Sequence, residues 1–394
     1  MFRYFTDAEY DRRWAAVMAE VERRQLDTVV IWGRAGGQFE HCGDILYLSN
    51  HFAISAGADS AIWNARSFAA LIVRPGHEPE LHIDEPDPRM DRLAVGDVRW
   101  SSDPVQAVGE RLRELGISGQ VGLVGTNFFP IKYYQQLSEL CPQIDWRPED
   151  DLVKTVRKIK SAAELDCYRH AGETASLALT RLMSGLIGGE KEAVAAGAAS
   201  QIVVERGGRI QLMGTTHGEH IGYQCTEPLT GYSQLAPQPG DLVAGMIHGP
   251  MYQGYYLDPA REWVCGGAPS GAQRGLIEAT VEIVEELCGM IRPGVRLLDA
   301  ARRGDELTAR YGADESPTSK FFPFYGHGVG LFFETPRIGS ALSAPDDIFE
   351  EGMVLGVEAF LAKDGVGSCL IEDNVIVNAH GVELLTTTPL RWDA

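Results

Sequence analysis

No two of the seven cysteines, at positions 42, 141, 167, 225, 265, 288 and 369, form a CxxC pair, and their number is odd. This argues against a disulfide framework and fits reduced thiols serving as small core residues in a cytoplasm. Apolar runs of about 18 residues, long enough to cross a bilayer, are missing as well. The opening residues, Met1-Phe2-Arg3-Tyr4-Phe5-Thr6-Asp7, have no charged leader followed by an apolar core, so the sequence predicts neither secretion nor a membrane span. Basic residues are outnumbered, 35 Lys and Arg against 55 Asp and Glu, for a net charge of −20. Nucleic acid or an anionic lipid surface needs clustered cations, so neither is expected as a partner, and the acidic surface mainly serves solubility. Internal repeats, low-complexity tracts and long linkers are also lacking.

What the chain has is length and apolar content. Its 394 residues exceed one ordinary core, and 44% hydrophobic residues suffice to fill two. Apolar positions Tyr10, Trp14, Val17, Met18 and Val21 have helical spacing, and Thr28 to Trp32 is a buried-strand signature. Ile45 to Leu48, Ala69 to Val73 and Val121 to Val124 read as further strands, with helices such as Pro104 to Leu115 between them. This predicts an α/β unit over 1–155. A long helix then opens with a capping box, Ser161 followed by Glu164, and a second unit is expected over 156–394. There Leu242 to His248 and Gln253 to Cys265 suggest a hairpin around Gly249-Pro250. Helices follow at Ser270 to Ile291 and Leu297 to Tyr311, and then the strand-like segments 321–334, 353–362 and 367–378 of a mainly antiparallel sheet.

The chemistry concentrates in this second unit. In Tyr325-Gly326-His327-Gly328-Val329-Gly330-Leu331 a histidine is hemmed in by glycines, which let the backbone pass close to a ligand. Glu358 and Glu372 each interrupt an apolar run, where a carboxylate is costly unless it is partnered. Glu372-Asp373 also reads as an exposed acidic pair, but Ile371 before it and Val375-Ile376-Val377 after it imply a buried strand. Histidine and carboxylates in this order form a metal-site skeleton, and Asp258, in Leu257-Asp258-Pro259, is a fourth candidate that also suits a simple turn. A second histidine cluster, Thr215-Thr216-His217-Gly218-Glu219-His220, offers proton relay by His220, whereas His217 also reads as a solvated loop residue.

Six segments in order, Ile159 to Glu164, Gly240 to Val243, Gly254 to Arg261, Gly326 to Leu331, Glu351 to Val354 before Glu358, and Ile371 to Val375, resemble the prolidase, aminopeptidase P and creatinase family over nearly the whole chain. The resemblance implies an α/β N-terminal domain plus an α+β pita-bread catalytic domain, and a hydrolase that cleaves a C–N bond (amide, amidine or Xaa-Pro-like) in a small molecule. It implies one or two divalent ions (Mn, Fe, Zn or Co), or none as in creatinase, and a homodimer. His41, His51 or Trp63 would then shape the neighbour's pocket. The matching ligands are Asp258, His327, Glu358 and Glu372, with Glu358 and His327 also catalytic. The family's first aspartate falls on Ile247. His248 beside it replaces that ligand only if a bulge near Gly249 turns it to the same face; otherwise it is a strand-end histidine.

The family's substrate-contacting histidine lies nearer the Gly-Asp pair than His220, which precedes Gly240 by twenty residues, so the loop Glu227 to Pro239 is an insertion or His220 has no counterpart. The segment Leu331 to Arg337 is one residue short, with Phe where a second histidine is expected. Phe333, Tyr256, Glu334 and His217 are candidates for substrate contact, with Glu334 equally suited to pair with Arg337. This departure points away from a general peptidase. Two other readings remain open: a lyase acting on an onium compound such as dimethylsulfoniopropionate held by Tyr252, Tyr255, Tyr256, Phe332 and Phe333, and a binding module without activity.

Overall fold

The computed structural model describes residues 4–34, 41–53 and 67–392. The chain divides into two compact units, Met1–Arg157 and Lys158–Ala394. In the first, the elements are α1 (Asp7–Arg23), β1 (Val29–Arg34), α2 (Gly43–Ser49), β2 (Phe68–Val73), β3 (Glu80–Ile83), β4 (Asp97–Trp100), α3 (Pro104–Glu114), β5 (Gly119–Val124), α4 (Ile131–Leu140), β6 (Ile144–Pro148) and α5 (Leu152–Arg157). Thr6 caps α1 by accepting from the Glu9 amide, and Asp103 caps α3 by accepting from Gln106. The six strands form one mixed sheet in the order β4-β3-β2-β1-β5-β6. The apolar run Ile45 to Leu48 lies in α2 and not in a strand. Four apolar residues carry no period of their own, and here the Ser49 hydroxyl bonds back to the Ile45 carbonyl while Asn50 ends the turn in the left-handed region. Trp63 lies outside the described residues. His41 stacks on Phe128 within this unit, with ring centroids 4.7 Å apart.

Two histidines of this unit, His51 and His82, are buried, and burial lowers each from 6.5 to about 4. A lowered folded value means that the unfolded chain takes up the proton first. Stability is therefore fully present above the unfolded value of 6.5 and is lost as pH falls toward 4. Each histidine should cost about 2 kcal/mol on going from pH 7 to pH 5. Unfolding midpoints measured across that range should drop steeply in the native chain and less steeply in His82→Leu; parallel curves would refute this account.

The second unit runs α6 (Ala162–Ile187), α7 (Glu192–Glu205), β7 (Leu212–His217), β8 (Leu242–Tyr252), β9 (Tyr255–Leu257), β10 (Ala260–Val264), α8 (Gly271–Met290), α9 (Leu297–Tyr311), α10 (Pro317–Phe321), β11 (Gly326–Val329), β12 (Phe333–Arg337), β13 (Val354–Lys363), β14 (Gly367–Asn378) and β15 (Gly381–Leu384). The capping box at Ser161 and Glu164 is formed in both directions. The strands pair antiparallel in the order β12-β11-β13-β14-β10-β8-β7, with β15 on β14 and β9 on β8. α6 packs against β8, and α8 against β13 and β14. The hairpin does not turn at Gly249-Pro250. β8 continues through them to Tyr252, and the turn falls at Gln253-Gly254, whose φ values of 50° and 90° suit a left-handed turn between twisted strands.

Candidate metal centre

Three neighbouring strands, β11, β13 and β14, and the link between β9 and β10 deliver the polar side chains. On β11, His327 pairs with Gly356 of β13. Glu358 of β13 stands directly opposite Glu372 of β14, and Glu372 opposite Ala260 of β10. Asp258 lies between β9 and β10, where its amide donates to Asn374 Oδ1 at 3.0 Å and its Oδ1 accepts from Asn374 Nδ2 at 2.6 Å. His327 Nε2 lies 3.4 Å from Asp258 Oδ2, 3.5 Å from Glu358 Oε1 and 3.7 Å from Glu372 Oε1. All four side chains are buried, and among the described residues those three oxygens have no hydrogen-bond partner. His327 Nδ1 faces the Gly328 carbonyl at 3.0 Å, which leaves Nε2 for the carboxylates.

Burial pushes Glu358 and Glu372 well above the ordinary carboxylate range, and the neighbouring charge of Asp258 adds to it. Burial lowers His327, against the pull of Asp258. Three carboxylates crowded together and shielded from water cannot all ionise unless a cation joins them. Oxygen and imidazole donors at these spacings suit a divalent metal ion, and Asp258, His327 and Glu372 have ligand atoms within 4.8 Å of one another.

A cavity of about 390 Å³ opens at these groups. His248, Tyr256, Phe333, His327, Glu358 and Glu372 line it, as do Gln211, Gln224 and Arg337. The register that pairs Ala260 with Met246 and Gly249 with Leu257 sets His248 opposite Asp258, on the cavity side and without a bulge. Ile247 points to the other face and is fully buried. The face assignment made from the sequence is therefore reversed: β8 turns Met246 and His248 toward the cavity. His248 nevertheless stays outside the cluster of converging donors.

Three candidates lie elsewhere. His220 is partly exposed, with Glu219 3.7 Å away, and is not among the cavity's lining residues. His217 is neither solvated nor in the cavity; its Nδ1 meets the buried Glu192 carboxylate at 2.5 Å. Glu334 does not line the cavity: it accepts from the Leu331 amide at 3.1 Å and lies 3.8 Å from Lys160 Nζ. Loop geometry and contacts across 174 positions of sequence decide these outcomes, and neither is visible in local spacing. Local spacing offers Arg337 only as a partner for Glu334 and gives no signal for Gln224.

A curled antiparallel sheet that gathers one histidine and three carboxylates on one face defines a pita-bread metallohydrolase-type domain. Residues 166–379 match metallopeptidase family M24, more than half of the chain, and the chain belongs to that family. It is 26% identical over 280 residues to an Xaa-Pro dipeptidase of Pyrococcus horikoshii, covering 71% of this chain and 74% of the relative. An Xaa-Pro dipeptidase of Pyrococcus furiosus is 25% identical over 323 residues, covering 80% of this chain and 87% of its own. The crystal structure of the prolidase from Pyrococcus horikoshii OT3 superimposes with a TM-score of 0.76 at 20% identity, covering 96% of this chain and 99% of that one. Dipeptidase PepE from Mycobacterium ulcerans gives 0.76 at 24% identity, with 98% of each chain covered. At such identities the structural likeness speaks for the fold alone.

Proposed function

We propose that the protein is a metal-dependent hydrolase that cleaves a C–N bond, amide or Xaa-Pro-like, in a small molecule. The observation that carries this reading is the approach to His327 Nε2, beside a cavity, of three buried carboxylate oxygens that have no hydrogen-bond partner among the described residues. Asp258, His327, Glu358 and Glu372 would hold the ion, which when bound acidifies water and polarises a carbonyl. The chain's own residues do the rest. Water adds to the carbonyl carbon and passes its proton to the Glu358 carboxylate; the C–N bond then breaks and the proton moves to the leaving nitrogen. His248, on the cavity wall opposite Asp258, is placed to hand that proton on to the leaving nitrogen, the relay role that the sequence offered to His220.

Six aromatic rings, Tyr256, Phe321, Phe322, Phe324, Phe333 and Phe360, give the substrate's body an apolar bed. Arg337 in the same wall favours an anionic or carbonyl-bearing substrate and repels an onium cation. Of the five aromatics suggested for an onium cage, Tyr252 stacks on His170 and Tyr255 donates to Glu164, so neither serves the cavity. A binding module without activity has no use for buried ionisable groups that cost several kcal/mol each. The free thiols, five of seven buried, suit a reducing cytoplasm, and a homodimer is proposed from the family resemblance.

Metal-loaded protein should release amine from Xaa-Pro dipeptides or other small amides, and Glu358→Gln should lower the rate by about 10²–10⁴-fold. Release of an alkene from an onium compound would move the assignment to a lyase; no turnover across amides and amidines would end the hydrolase reading.

A further inference from the structure

We propose that this centre is built for one divalent cation, and that Arg337 supplies as a fixed positive charge what a second cation supplies in a paired centre. The inference rests on the metal-site reading above. Asp258, His327 and Glu372 offer ligand atoms that all lie within 4.8 Å of one another, with Glu358 Oε1 beside them at 3.5 Å from His327 Nε2, and the 3.4 and 3.7 Å from that nitrogen to Asp258 and Glu372 are separations of ligands around a single ion. Bonds of about 2.0–2.2 Å in tetrahedral directions set neighbouring ligand atoms roughly 3.3–3.6 Å apart.

A second ion would need carboxylates that bridge or chelate. Asp258 offers one oxygen, because its Oδ1 is committed to Asn374 Nδ2 at 2.6 Å. The next strand contributes no carboxylate: Ile247 faces away, and its cavity-side neighbours Met246 and His248 carry a thioether and an imidazole. Phe333 closes the same side, its ring centroid 4.8 Å from that of His327 and 6.1 Å from that of His248.

Charge gives the same answer. Three ionised carboxylates are balanced by one divalent ion and one guanidinium, whereas a second divalent ion would leave two positive charges in excess in a water-poor cavity. Arg337 is placed for this. It lines the cavity, its guanidinium carbon lies 5.3 Å above the Phe324 ring, and among the described residues the guanidinium has no hydrogen-bond or ion-pair partner. Glu358 and Asp258 are the acidic groups whose charge reaches it. When water adds to a carbonyl carbon, the electron pair moves onto oxygen, and Arg337 is the cation of this chain that meets it.

The test is a calorimetric titration of chelator-stripped full-length protein with Mn²⁺ and with Zn²⁺, backed by elemental analysis. One equivalent per chain is expected, and two in the native protein would overturn the proposal. Removing the guanidinium relieves repulsion of the ion, so Arg337→Met should tighten metal binding by about tenfold, while Arg337→Lys keeps native affinity. A second equivalent that appears only in Arg337→Met would support the same charge balance. An unchanged or weakened affinity in Arg337→Met, with native circular dichroism in that variant and in Arg337→Gln, would overturn the part given to Arg337. Absence of any metal binding in the native chain would instead remove the metal reading itself.

Discussion

Changing Gly356 to alanine is expected to abolish divalent-metal binding while leaving the metal-free fold nearly as stable as before. Gly356 pairs with His327 across β11 and β13, and a Cβ built there would lie 2.4 Å from Glu372 Oε1, 3.2 Å from His327 Cε1 and 3.3 Å from His327 Nε2. The closest of these atoms is the end of a flexible side chain, so the fold can yield by swinging the Glu372 carboxyl aside. A metal site cannot yield in that way, because its donors must stay within about 0.2 Å of their distances. Metal affinity should therefore fall at least about 100-fold, the upper end of what lesser disturbances around metal ligands produce. In a thermal melt, native protein with metal at 100 times its dissociation constant should gain about 2.7 kcal/mol, and Gly356→Ala should gain almost nothing. Equal metal-dependent gains in the two proteins would show that Glu372 is not a ligand.

Gly356 illustrates what spacing alone conceals. Glu358 and Glu372 stand out in the sequence because a charge inside an apolar run needs a reason, His327 because its flanking glycines permit a close approach, and Asp258, which alone suits a simple turn, through the family resemblance. The structure brings these four together. Gly356 lies in the same apolar run as Glu358, but only the pairing of β11 with β13 shows that its missing side chain makes room for the donors. Alternation from Ile247 turns His248 away from the site, whereas the register of β8 against β10 sets it on the cavity side. The turn at Gln253-Gly254 is hidden for a related reason: Gly249-Pro250 is the stronger local signal, yet β8 carries that proline without ending there. The N-terminal strands over 69–73 and 121–124 were legible as apolar runs; Ile45 to Leu48 was equally apolar and is helical. Arg337 could not be singled out, since its obvious neighbour Glu334 is taken by Lys160 from the start of the unit.

Behind the donor face, Arg261→Met should be among the most damaging substitutions in the second unit, costing about 3–5 kcal/mol. Glu372 and Asp373 are adjacent acids that β14 sends to opposite faces, one to the cavity and the other to Arg261. The Arg261 guanidinium is 1% exposed, and its donors reach the carbonyls of Glu372 at 2.7 Å, Ala260 at 2.9 Å, Thr388 at 3.0 Å and Pro389 at 3.2 Å, besides the Asp373 carboxylate. It thus clips β10, β14 and the C-terminal segment together and fixes the backbone of a metal-ligand candidate. Methionine would leave four carbonyls without their donor and a buried carboxylate without its cation. Lysine should not rescue it, because a point charge cannot reproduce the planar fork. The double variant Arg261→Met/Asp373→Leu should recover part of the loss, since the stranded charge goes with its partner. The pH dependence has a definite sign. Burial already raises Asp373, and Arg261 opposes the rise. Without Arg261 the folded value climbs further, so the folded chain takes up a proton before the unfolded one, and the variant's deficit should shrink as pH falls from 7 toward 5. Denaturant unfolding of the single and double variants at both pH values tests this: a deficit that is independent of pH, or additive single-site losses, would mean that Arg261 acts only through its carbonyl contacts.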